Sequence, residues 1–301
     1  MPSTALSRQQ IAKFKKMKNM QTLLHNRTFW FIAAPVIILG LLVVNLPGVL
    51  NALGLNRPYP GSSFNLSGKR ALIIATNHDT LGESGKKTGV YASEMTVPYY
   101  QFLDGTMQVD VASIQGGEIP VEPVSLRWPI LTPEDKRFQS DGEFQEKVKH
   151  SLKIADLDFT QYDIVFMAGG WGAAYDLGYS EVLGQKISAA YAADVVLGSV
   201  CHGALGFLLA KDRNGKPLVQ GRRMTAVTNK QVQELGITIT PQHPERELRA
   251  AGVLYESETA FLDIFASHVV VDGTLVTGQN QNDGAEVAQR MMDIIEKRNS
   301  K

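Results

Sequence analysis

The chain has 301 residues, enough for one large domain or two small ones, and 44% hydrophobic with 20% charged residues describes a globular protein that buries a core. Its formal charge is zero but unevenly spread: residues 1–28 carry Arg8, Lys13, Lys15, Lys16, Lys18 and Arg27 and no acid, which leaves the remainder at −6. An acidic main body argues against nucleic acid as a partner, and a single cysteine excludes an intramolecular disulfide and a zinc site built from thiolates.

Residues 29–50, FWFIAAPVIILGLLVVNLPGVL, carry no charge over 22 positions. As one helix they would span about 33 Å, close to a bilayer core of about 30 Å. Trp30 sits at one end, where an indole suits the headgroup layer. Ahead of it, Ile11, Phe14, Met17 and Met20 recur at three-residue steps with lysines between them, the pattern of a basic helix on an anionic lipid surface. The expectation is a single-pass transmembrane helix, with membrane lipid as partner, the N-terminus cytoplasmic and the following domain extracytoplasmic. A cleaved signal peptide competes with this reading, but the basic stretch is long for one and no small-x-small site follows the apolar run.

Residues 51–68 are rich in Gly, Pro, Asn and Ser and read as a linker to an α/β domain over residues 69–301. Residues 70–75 (RALIIA) read as a buried strand, 88–103 as a helix with Glu94 in its first turns, and 109–114 as a second strand. A proline-containing excursion covers 117–137 and a helix 143–155. Residues 162–167 form a strand ending at Gly169-Gly170, 180–192 a helix, 195–200 a strand running into Cys201, and 203–210 a helix. Strands are expected at 223–228 and 251–255, a hairpin turning at Asp272-Gly273 within 268–278, and a closing helix at 285–297. Repeated β-α alternation predicts a doubly wound, mostly parallel sheet covered by helices on both faces.

In such sheets, sites form beyond the C-terminal ends of the strands. Ser199-Val200-Cys201-His202-Gly203 has the layout of a nucleophile elbow: an apolar strand, a nucleophile, then glycine and a helix whose N-terminus would lower a thiol pKa. A small buried hydrophobe at a strand end is the competing reading of a lone cysteine. Gly169-Gly170-Trp171-Gly172 could aim backbone N–H groups at an oxyanion, although a glycine cluster also marks a plain turn. Glu94 could act as general acid or base if burial raised its pKa, although a helical Glu is usually solvated. His78, after the first strand, is a possible pocket residue with no second well-placed metal ligand. Gln242-His243-Pro244-Glu245 mimics the end of a His-x-Glu triad but reads as a helix start, with Pro244 in the first turn.

NHD…GKKTGVYASE, YDIVFMAGGWGAAYDL, VCHG and HVVVDGTLVTGQN, in this order and spacing, resemble the DJ-1/PfpI superfamily, type 1 glutamine amidotransferase-like proteins. The likeness is greatest to the glyoxalase III-like and heat-shock-chaperone-like branch, and it runs from about residue 69 to 296. It implies a flavodoxin-like sandwich, with Cys201 as nucleophile, His202 its neighbouring histidine and Glu94 the acid on the thiol. Gly170, Trp171, Gly172, Gly203 and the His202 backbone fall at the implied oxyanion pocket. The implied activity is glyoxalase III (D-lactate dehydratase) or protein deglycase chemistry on methylglyoxal or related α-oxoaldehydes, or on glycated protein, without metal or organic cofactor. Such proteins commonly form homodimers. Two positions depart from the pattern: Trp171 stands where His is frequent, and Val232 stands where an acid orients the histidine, with Glu234 nearby but out of register. A membrane-tethered holdase or redox sensor, and an amidohydrolase or peptidase using the same thiol, are the alternative readings.

Overall fold

The computed structural model describes residues 8–9, 12–13, 15–17 and 27–299, and the backbone divides into two units, Met1–Val49 and Leu50–Lys301. In the first unit, the apolar run is not the single spanning helix expected of residues 29–50. Helix α1, Arg27–Val44, has 18 residues and stops at Asn45; α2, Leu46–Leu53, follows after a bend of 63°. At ~1.5 Å per residue, α1 rises only about 27 Å. The break has a local cause in Pro47. Proline has no N–H, and its ring would clash with the carbonyl of Val43 if the helix ran through. Near the start of a new helix that ring is tolerated. Asn45 bridges the gap, its backbone N–H and its Nδ2 donating to Leu41 O at 3.0 and 2.7 Å. No single helix among the described residues is long and apolar enough to cross a membrane; the bent pair Trp30–Val44 and Leu46–Leu53 passes that test together. Met17 of the basic segment is helical and exposed, whereas Ile11, Phe14 and Met20 lie outside the described residues.

Among its described residues the second unit holds nine strands: β1 Arg70–Ala75, β2 Gln108–Ser113, β3 Leu152–Lys153, β4 Ile164–Met167, β5 Val196–Val200, β6 Arg223–Met224, β7 Leu254–Tyr255, β8 Val269–Asp272 and β9 Leu275–Gly278. Its helices are α3 Ala92–Asp104, α4 Pro133–Ser140, α5 Gly142–Lys149, α6 Ala173–Asp176, α7 Glu181–Ala192, α8 Asn229–Glu234, α9 Pro244–Ala250 and α10 Gly284–Asn299. Seven strands build one sheet in the order β3-β2-β1-β4-β5-β9-β8, parallel throughout except for β8, which turns back on β9 at Asp272-Gly273. β6 and β7 pair separately. This is the mostly parallel, doubly wound sheet read from the sequence.

Strand periodicity divides the core in two. Ala71, Ile73 and Ala75 of β1, Ile164 and Phe166 of β4, and Val196 and Val200 of β5 face α3 and α10, packing with Tyr99, Phe102, Val287 and Met291. Leu72, Ile74, Val165, Met167 and Leu197 face the opposite layer with Leu183 and Ile187 of α7 and Phe207. All these strand side chains are at least nine-tenths buried, as a sheet covered on both faces requires.

Several expected boundaries move. The helix read over 88–103 starts only at Ala92, because Val90 pairs with Val121 and stays extended. The helix read over 143–155 ends at Lys149, where Ser151 exchanges backbone hydrogen bonds with Gly117 and Leu152 joins the sheet edge. The helix read over 203–210 is a tighter 3-10 run, Cys201–Phe207. The stretch read as a linker packs part of its length into the unit: Leu55 and Leu66 are 4% and 3% exposed. Asn56 N–H also donates to Asn282 Oδ1 at 2.7 Å.

Candidate active site

The sheet order reverses direction between β1 and β4, and a crevice forms at such a switch point beyond the strand ends. Chain from three neighbouring strands meets there. The chain after β1 delivers Glu94, two residues into α3; the chain after β4 delivers Gly169-Gly170-Trp171; β5 ends directly in Cys201.

Cys201 has φ +56°, left-handed backbone that a side chain rarely adopts. That conformation turns the thiol out of the strand line toward the crevice, the geometry of a nucleophile elbow. Glycine is required beside it. A Cβ on Gly203 would overlap the Met167 carbonyl, and one on Gly169 would stand 2.5 Å from Glu94 Oε2 and 2.6 Å from the His202 nitrogen. Gly170, at φ +91°, follows the same tight course. The neighbouring strand ends therefore approach backbone to backbone.

Cys201 is 6% exposed and Glu94 1%. Glu94 Oε2 accepts from Gly169 N at 3.0 Å, and its carboxyl lies close enough to the thiol for each to shift the other's proton affinity. Burial lifts Glu94 to about 8, against the weaker lowering effect of Cys201 and of the Gly169 and Gly170 amides. The thiol is also raised well above its ordinary value, first by burial and then by the adjoining carboxyl, although the His202 and Gly170 amides donate toward it. The expected depression by a helix N-terminus does not prevail: the turn after Cys201 is a short 3-10 run, and desolvation of the sulfur outweighs its dipoles.

His202 Nδ1 lies 3.4 Å from Cys201 Sγ, and the ring packs against Trp171 with centroids 5.0 Å apart. Burial holds the imidazole neutral, pushing its pKa down to about 3, with the electrostatic influence of His243 a lesser cause. Nε2 of His202 has no hydrogen-bond partner among the described residues. Val232 is buried and apolar, and Glu234 accepts from the Asp263 N–H at 2.7 Å and faces Lys230 at 3.6 Å. Among the described residues no carboxylate hydrogen-bonds the histidine.

The residues Cys201, His202, Glu94, Gly170 and Trp171 all line one cavity of about 180 Å³. Gly172 and Gly203 are backing rather than lining, and Gly172 N–H is committed to Gly89 O at 3.2 Å. His78 is not part of the cavity: its ring stacks on Tyr175 at 3.9 Å and bonds Thr80 O, which directs it into its own loop. Pro244 does open helix α9, while Glu245 is occupied by Asn229 N and Arg249 Nε at 2.8 and 2.9 Å. Among the described residues no three His, Cys, Asp or Glu side chains converge as metal ligands. Sequence reasoning passed over Tyr91 and Glu122, both cavity residues. Tyr91 immediately precedes the helix that carries Glu94, and that adjacency was the available signal; Glu122 lies on a loop brought in only by the pairing of Val90 with Val121.

A model of the DJ-1/PfpI family matches residues 87–294, and the chain belongs to that family. Among its relatives, glyoxalase 3 of Candida albicans is 28% identical over 240 residues, covering 76% of this chain and 98% of that protein. A glutathione-independent glyoxalase of Schizosaccharomyces pombe is 27% identical over 75% of this chain and 96% of its own length. Among solved structures, the rapid encystment protein of 24 kDa from Francisella tularensis superposes with a TM-score of 0.70 at 30% identity, over 75% of this chain and 99% of that one. Glyoxalase III of Candida albicans superposes with a TM-score of 0.69 at 26% identity, over 75% of this chain and 97% of that one. These likenesses place the chain on the glyoxalase III-like branch of the family.

Proposed function

We propose that this protein is a glutathione-independent glyoxalase that converts a small α-oxoaldehyde such as methylglyoxal into the 2-hydroxy acid, using Cys201 as nucleophile. The observation that carries the reading is the buried pair of Cys201 and Glu94 on the wall of a small cavity. Glu94 loses its proton first, and its carboxylate takes the thiol proton as sulfur bonds to the aldehyde carbon. The oxyanion is met by the N–H groups of Gly170 and His202 and receives the proton back from Glu94. Glu94 then removes the proton from the former aldehyde carbon, giving an enediol, and returns it to the adjacent ketone carbon while the hydroxyl proton passes from the first oxygen to the second, leaving a thioester beside a new hydroxyl. Two electrons move between neighbouring carbons, so no external oxidant is needed. Water cleaves the resulting thioester, releasing the hydroxy acid and restoring the thiol. His202, neutral, supports the sulfur through Nδ1. A cavity of about 180 Å³ favours a free aldehyde over a glycated protein side chain.

Methylglyoxal supplied without glutathione should yield lactate, read by NMR. Cys201→Ala should abolish turnover, and Glu94→Gln should lower it by about 10²–10⁴. Failure of the wild-type protein to form lactate would sink the reading.

The N-terminal segment is, on the same footing, an anchor with the basic end cytoplasmic. Phe31, Ile32 and Val44 of α1 are 78%, 69% and 73% exposed, an apolar helix surface suited to lipid. Full-length protein should stay with the membrane fraction after an alkaline carbonate wash; recovery in the supernatant would remove the anchor.

A further inference from the structure

The chemistry proposed above needs only an aldehyde and a neighbouring carbonyl, but the cavity offers much more surface than those two groups can use. Its reactive groups are confined to Cys201, Glu94, His202 and the Gly170 amide. Val124, Ile130, Trp171, Leu235, Ile237 and Ile264 line much of the remaining wall. Tyr91 adds a phenol to the wall, and three other polar side chains that reach the cavity each make a hydrogen bond to protein. Glu122 Oε2 accepts from Thr88 Oγ1 at 2.7 Å, Gln231 Oε1 accepts from Asn280 Nδ2 at 3.2 Å, and Gln281 Nε2 donates to Ile264 O at 3.2 Å. A methyl substituent would leave most of the apolar wall uncovered. An apolar protein cavity of about 150 Å³ already holds benzene, and this one measures about 180 Å³. The apolar surface also continues to the rim, where Val124 and Leu235 are 53% and 40% exposed. Trp171 puts an indole against His202.

We propose that the preferred substrates are α-oxoaldehydes whose substituent is an alkyl chain or aryl ring larger than methyl. The dicarbonyl head sits at Cys201 and the tail lies on Leu235, Ile237 and Ile264. This rests on the glyoxalase reading and narrows its substrate. Each methylene moved from water onto the apolar wall gains about fourfold in kcat/KM until the cavity is full.

The test is kcat/KM for glyoxal, methylglyoxal, ethylglyoxal, propylglyoxal and phenylglyoxal, read as the 2-hydroxy acid formed. The expected series rises about fourfold per methylene, with phenylglyoxal well above methylglyoxal, and Ile237→Ser or Ile264→Ser flattens it. A flat or falling series in the wild type, with methylglyoxal still turned over, overturns this inference and leaves the reaction standing; so does a slope that neither variant changes. If no aldehyde reacts, the reaction itself fails, and calorimetric binding of lactate, 2-hydroxyhexanoate and mandelate decides the pocket. Tightening with apolar size supports the tail site, and equal affinities overturn it.

Discussion

Glu94 carries the pH behaviour at the scale of single residues. Burial raises its pKa from 4.5 to about 8, so the folded protein holds this proton more tightly than the unfolded chain does. Stability from that difference is fully present below the unfolded value and is lost as pH rises through about 8. Asp283, raised to about 7 by burial, adds to the same fall, while the Cys201 thiol keeps its proton across the window. Urea midpoints of the wild type should therefore decline from pH 5 to 9. Glu94→Gln should decline less steeply and be the more stable protein at pH 9, by at most about 5 kcal/mol. Equal slopes would show that Glu94 titrates as an ordinary carboxyl. Turnover moves the other way, rising as Glu94 becomes the base, and the gain should level off above about pH 8. Cys201, His202 and Glu94 were legible because each sits in a motif at a strand end or first helical turn. The direction of the thiol shift was not legible, since it depends on how completely neighbouring strands cover the sulfur. His78 misled for a similar reason: what decides its place is the ring of Tyr175, almost a hundred residues away.

Helix α4 illustrates what elements reveal and conceal. Thr132 Oγ1 accepts from Asp135 N at 3.0 Å, and Asp135 Oδ2 accepts from Thr132 N at 2.9 Å, with Pro133 at the first helical position. Thr-Pro-Glu-Asp is a readable start signal, yet the preceding proline-rich stretch masks it and the segment reads as an excursion. The cap has a second function. Asp135 Oδ1 also accepts from Thr96 Oγ1 at 2.7 Å, tying α4 to the helix that carries Glu94. Thr132→Ala should lower stability by about 1 kcal/mol, seen as a reduced urea midpoint at constant slope. An unchanged midpoint would mean the cap is redundant with packing. The strand at Leu152–Lys153 carries no comparable local signal, because its conformation comes from pairing with β2. The break at Asn45 did carry one, in Pro47, but proline in an apolar run is also compatible with an unbroken membrane helix.

At the scale of the whole chain, two compositions are joined end to end, a cationic and apolar N-terminal segment and an acidic α/β unit. The alternation of strands and helices made the sheet readable, and the strand order then brings the chain after β1, β4 and β5 to one rim without any long-range signal in the sequence. The junction was harder to read, because Gly, Pro, Asn and Ser mark docked and free segments alike. Here Asn56 Nδ2 donates to Ile130 O at 2.9 Å and its N–H to Asn282, while Leu55 and Leu66 are buried. Unit Leu50–Lys301 contains these contacts in full. Removing residues 1–49 should leave the melting temperature of the catalytic unit and its turnover unchanged. Extending the deletion through residue 68 strips two leucines from the core, each worth about 1.5–3 kcal/mol when fully buried, and leaves Asn282 without its donor. That shorter protein should melt several degrees lower. If the two truncations melt together, the segment over 50–68 contributes nothing to the fold; if the first already melts early, the α/β unit depends on the apolar helices for more than its location.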